Sequence, residues 1–177
     1  MTGEFVPLPA LDELDEAACA SALAPLFEGA PRFLARLAAA RPFGDEATLF
    51  EQAREIAHAM PEADQVELID AHPRLGAPPG SVSSLSFREQ GYDQEAADEA
   101  AEAERARVQA ELERLNDAYE DRFGFRCCVF VAGRPRAALL PELQATLAAD
   151  RHAELHRALD AVVDIAADRY RKLAASA

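Results

Sequence analysis

The sequence contains no tryptophan, two methionines and three tyrosines, so its core has to be built mainly from aliphatic side chains and nine phenylalanines. Basic residues are scarce. Eighteen Lys and Arg face 32 Asp and Glu, for a formal net charge of −14. Nucleic acids and anionic membrane surfaces both require clustered cations, so no nucleic-acid or membrane partner is expected. No apolar run approaches the roughly 18–20 residues that cross a bilayer. The opening "MTGEFVPLPALDELDEAACA" lacks the basic and apolar regions of a secretory signal, so a cytoplasmic location is expected. There are three cysteines, Cys19, Cys127 and Cys128, and no Cys-x-x-Cys pair. That usage suits a reducing compartment and packed thiols, and no metal site is expected.

The chain does contain an abundance of helix formers. Ala, Leu, Glu and Arg dominate its 177 residues, a length that buries roughly 70% of the unfolded surface in one core. Asp15 precedes a helical pattern that Gly29 ends, and Pro31 opens the next helix at its first position. Asp45 reads as the N-cap of a third helix with Leu49, Phe50, Ala53, Ile56, Ala57 and Met60 on one face. Pro61 starts a fourth, which runs directly into His72. A long helix follows from about Glu95, with Val108, Leu112, Leu115, Tyr119 and Phe123 as its stripe and Gly124 at its end. The run "FRCCVFVAGR" reads as a strand or a buried extended connection, and two further helices complete the chain. The expectation is a single all-α domain over residues 1–177, with seven or eight helices and at most one short extended segment.

Chemistry concentrates where the helical pattern breaks, in "AHPRLGAPPGSVSSLSFREQ". His72 lies at a helix end, and Pro73 biases it away from the helical region. It either caps its own helix or is held in one orientation as a general acid or base. Ser86 and Glu89 have the spacing of a capping box for the long helix, which would place Glu89 and Gln90 at a helix N-terminus facing a polar ligand. Arg169 borders the last apolar stripe, where it either snorkels outward or points into a cavity to bind an anion. His152 and His156 share a helix face at i, i+4, a spacing that can bind metal but has no third ligand nearby in the sequence.

Taken in order, "FEGAP", "RPF", "AHPRLG", "SFREQ", "LNDAYEDRFGF", "VFVAGR" and "DIAADRYRKL" span Phe27 to Leu173. This set resembles the family of 2-oxo-4-hydroxy-4-carboxy-5-ureidoimidazoline (OHCU) decarboxylases. The resemblance implies an all-α fold, commonly homodimeric, that converts OHCU to (S)-allantoin in urate breakdown with no metal or organic cofactor. It further implies that His72 transfers the proton with Glu89 as its catalytic partner, and that a carboxylate beside the imidazole raises its pKa. Pro73, Ser86 and Gln90 would line the substrate site. Main-chain groups of Cys127, Cys128, Val129, Phe130 and Val131 would bind the ring's amide edges, and Arg169 would hold an anionic or carbonyl group.

Three departures stand out. Arg74 follows His-Pro and would add a cation near the site; "GYDQ" follows Glu-Gln; and "RCCVFV" replaces the commoner Pro-Phe-Val-Ile-Cys pattern. An acidic all-α interaction module, or a relative acting on another ureido or imidazolone acid, are the alternative readings.

Overall fold

The computed structural model describes residues 5–92 and 99–177. The described residues hold nine α-helices and no strand. They divide into two compact units, residues up to His72 together with Leu159–Ala177, and Pro73–Ala158.

The first unit carries α1 (Leu8–Glu13), α2 (Glu16–Leu23), α3 (Pro31–Ala39), α4 (Glu46–Ala59) and α5 (Glu62–Asp70), with most of α9 (Arg151–Ala174). The Asp15 carboxylate accepts the Ala18 N–H at 2.7 Å and the Asp45 carboxylate accepts the Thr48 N–H at 2.8 Å, so both expected N-caps form. Pro25 has no N–H to continue an α-helix, and the chain tightens into a 3-10 turn over Ala24–Phe27. The expected end at Gly29 therefore belongs to this turn, with the Gly29 N–H on the Ala24 carbonyl at 3.0 Å. Leu23, Phe27, Phe33, Leu37, Leu49, Leu68, Val162 and Val163 are buried in this unit. The Phe27 and Phe33 rings meet tilted at 4.8 Å, a favoured aromatic geometry. On its surface Arg54 reaches Asp160 at 2.6 Å and Asp164 at 2.7 Å, and His58 shares Asp160 at 2.8 Å.

The second unit carries α6 (Ser84–Glu89), α7 (Glu99–Phe123), α8 (Arg136–Thr146) and the first turns of α9. The long stripe of α7 is buried as its spacing predicts, from Val108 through Leu112, Leu115 and Tyr119 to Phe123. Gly124 (φ +79°) ends the helix, its N–H on the Glu120 carbonyl at 2.8 Å. The expected start of α7 near Glu95 and the Asp93-Gln94 half of "GYDQ" lie outside the described residues. The Phe125–Val131 run is an irregular connection with Phe125, Cys127, Cys128 and Val131 buried. Nine described helices stand against the seven or eight expected; α1 and α6, each of six residues, are too short to show a period in sequence.

Candidate active site

His72 sits immediately beyond α5, its N–H on the Ile69 carbonyl at 3.1 Å, and only 4% of its surface is exposed. Its Nδ1 lies 3.3 Å from the Leu68 carbonyl. A carbonyl only accepts, so Nδ1 carries the hydrogen and, in the neutral ring, Nε2 carries the basic lone pair. The capping reading of this residue is met, since the ring caps its own helix through Nδ1. The expected rise in its pKa is overturned. Burial first and the Arg169 charge second push the imidazole down to about 4. The Glu28 carboxylate and the Leu68 carbonyl pull upward without compensating. His72 is therefore neutral at pH 7.

This has a consequence for stability. The unfolded chain protonates His72 near 6.5, whereas the folded chain resists until about 4. Above 6.5 both states are neutral; below it the unfolded state binds the extra proton, so stability falls from about 6.5 to about 4. Urea midpoints should show this loss in the wild-type protein and not in His72→Asn, both carrying the same background of titrating carboxylates. Glu28→Gln, which removes an upward pull, should extend the window to lower pH.

Arg169 resolves inward, being 2% exposed. Its Nη1 donates to the carbonyls of Pro25 at 3.1 Å and Leu26 at 3.3 Å, and its Nη2 to Glu28 Oε1 at 2.8 Å. Glu28 is the member of this cluster that sequence reasoning missed. It occupies the left-handed region at φ +51°, uncommon for a residue with a Cβ, and Gly29 follows at +83°. That turn delivers a carboxylate to the buried guanidinium. A signal existed, because a buried arginine requires a carboxylate partner, but the separation of 141 residues concealed which one.

In the second unit, the expected capping box is not formed. Ser83 is the N-cap, its Oγ accepting the Ser86 N–H at 3.1 Å, and Ser86 is buried inside α6. Glu89 is the last residue of that helix and Gln90 its C-cap, so neither lies at a helix N-terminus. The reason is the short α6 itself, whose N-cap, Ser83, lies three residues before the position assigned to the cap. Gln90 is buried and pins the loop after Pro73: its Oε1 accepts the Gly76 N–H at 2.7 Å and its Nε2 donates to the Arg74 carbonyl at 3.3 Å. Asn116 donates to the Leu75 carbonyl at 2.9 Å and Gln109 to the Gly76 carbonyl at 2.8 Å. Gly76 has φ +81°, a conformation that favours glycine, and a Cβ there would press on Leu112 Cδ1 at 3.0 Å. Arg74 binds Glu120 at 2.6 and 2.5 Å and Asp117 at 2.9 Å, which neutralises the cation that this departure was expected to add.

The carbonyls of Cys128, Phe130 and Val131 accept from arginine side chains at 3.0, 2.8 and 3.1 Å. Val129 and Phe130 are half-buried. Burial pushes the Cys127 thiol up to about 12, which makes it inert at neutral pH. The His152 and His156 rings lie 4.2 Å apart, and no group of three metal-ligating side chains occurs among the described residues.

The first unit thus keeps a neutral, buried imidazole within the field of an arginine–carboxylate pair. The chain belongs to the OHCU decarboxylase family, whose profile matches residues 12–171. It is 32% identical over 156 residues to the uric acid degradation bifunctional protein PucL of Bacillus subtilis strain 168, covering 88% of this chain and 30% of that protein. With the uric acid degradation bifunctional protein of Bacillus sp. strain TB-90 it shares 25% identity over 166 residues, covering 94% and 32%. The chain thus spans about a third of the length of these relatives. Among solved structures, the fold is similar to an OHCU decarboxylase crystallised in the presence of (S)-allantoin, with a TM-score of 0.65, 22% identity and coverage of 85% of this chain and 94% of that one. An (S)-allantoin synthase aligns with a TM-score of 0.64 and 20% identity, covering 95% of this chain and 54% of that one.

Proposed function

We propose that this chain decarboxylates OHCU to (S)-allantoin in urate catabolism, using its own side chains and no metal or organic cofactor. The observation that carries the proposal is the buried, neutral His72 in a chain that matches the decarboxylase family over residues 12–171. The substrate bears a hydroxyl and a carboxylate on one ring carbon, beside a C=N bond. As the bond to CO2 breaks, its electron pair forms a C=C bond to the neighbouring carbon, and the C=N pair moves onto nitrogen, which takes a proton. This built-in sink makes an external electron acceptor unnecessary. The resulting enol loses its hydroxyl proton as the carbonyl forms, and the ureido-bearing carbon gains one. The sum is one proton consumed and one CO2 released.

His72 Nε2 takes the hydroxyl proton, a role open only to the neutral ring. Arg169, fixed by Glu28 and two carbonyls, supplies positive potential as negative charge develops. Glu89 orients the substrate or the imidazole, Pro73, Ser86 and Gln90 shape the site, and main-chain groups of Cys127–Val131 hold the ring amides. No described helix is long and apolar enough to cross a membrane; a cytoplasmic homodimer completes the proposal. The test is release of labelled CO2 from OHCU labelled in its carboxylate and made fresh from urate. Release well above the spontaneous rate, persisting after chelation, is expected; release at the spontaneous rate overturns the proposal.

A further inference from the structure

The second unit holds a charged cluster around a buried carboxylate that this chemistry leaves unused. Glu154, in the first turn of α9, is 2% exposed. Arg157, one turn further on, places Nε 2.8 Å from both of its carboxylate oxygens and Nη2 2.5 Å from Oε1. Tyr119 of α7 donates its hydroxyl to the same Oε1 at 2.5 Å. The remaining direction is the informative one, since Arg157 Nη2 also donates to the Cys128 carbonyl at 3.0 Å. An ion pair with one buried partner, as here with Glu154 buried and Arg157 about a third exposed, is weak evidence for stability by itself. Apolar side chains in its place could not grip a carbonyl.

The Cys128 carbonyl and the Val129 N–H belong to one planar peptide and point in opposite directions. Holding the first therefore aims the second. Tyr119, Glu154 and Arg157 form a relay in which each side chain fixes the next: the α7 tyrosine orients the carboxylate, the carboxylate orients the guanidinium, and the guanidinium orients the peptide. We propose that Arg157 is a positioning residue, oriented by Glu154 and Tyr119, which aims the Val129 N–H at the amide edge of the substrate ring. Arg134 sets the Val131 N–H in the same way through the Phe130 carbonyl. The inference rests on the decarboxylase reading above, in which this segment holds the ring.

The test uses the full chain with freshly generated OHCU. Arg157→Met should raise KM about tenfold and change kcat much less, the mark of lost ground-state positioning. Arg157→Lys should recover part of that loss, because it keeps one donor. Tyr119→Phe keeps the buried ring and removes only the hydroxyl, so it should fold and raise KM about threefold, on the scale of one hydrogen bond. In both Arg157→Met and Tyr119→Phe, amide exchange at Val129 should accelerate while exchange within α7 stays unchanged. Wild-type KM in both variants, or unchanged Val129 exchange, overturns the inference alone. A wild-type protein that does not turn over OHCU overturns the decarboxylase reading, and this role falls with it.

Discussion

Replacing His72 by asparagine is expected to lower kcat for OHCU decarboxylation by about 10²–10⁴-fold, the usual contribution of a positioned proton-transfer group. The substitution isolates one nitrogen. An asparagine amide can still donate to the Leu68 carbonyl, which His72 Nδ1 reaches at 3.3 Å, so the local cap survives. Its oxygen is not a base at any accessible pH, so the function assigned to Nε2 is lost. The folded protein should also become less sensitive to acid, because no buried imidazole then resists protonation. Steady-state rates and a urea series between pH 4 and pH 7 measure both effects. A wild-type rate in this variant would remove His72 from the mechanism and leave it a helix cap.

The second large effect is structural. Arg169→Met should destabilise the protein by about 3–5 kcal/mol, as expected when one partner of a buried pair is deleted. The Arg169 side chain is 1% exposed and that of Glu28 14%. Without the guanidinium, the Glu28 carboxylate and the Pro25 and Leu26 carbonyls lose a common donor. Against a total stability of about 5–15 kcal/mol this loss is severe. Arg169→Lys should fall between, because an ammonium cannot match a planar fork of donors aimed at three acceptors. Adding Glu28→Gln to Arg169→Met should cost much less than the sum of the single losses, since each removes the other's partner. Strict additivity in urea unfolding would show that the pair does not act as a unit.

The helices were legible because their stripes repeat over two or more turns and their caps are local. Asp15 and Asp45 declare themselves within three residues. His72 was legible for the same reason: the proline after it marks the end of α5. What stayed hidden depends on contacts distant in sequence or on elements too short to repeat. Ser86 and Glu89 fit a capping box on spacing alone, yet a six-residue helix capped by Ser83 takes both residues inside it. Arg169 could be placed beside an apolar stripe, but its direction was fixed by Glu28. No local pattern announces that Glu28 adopts a left-handed turn. The pKa of His72 was misjudged through the same omission. The Glu89 carboxylate was expected to raise it, but the burial of His72 and the charge of Arg169, which lower it, were not weighed.

The most direct test follows the circular dichroism of allantoin as it forms from OHCU generated in situ. The account predicts rapid accumulation of the (S) enantiomer with wild-type protein and slow, racemic product with His72→Asn. Racemic allantoin forming at the buffer rate with wild-type protein would contradict it.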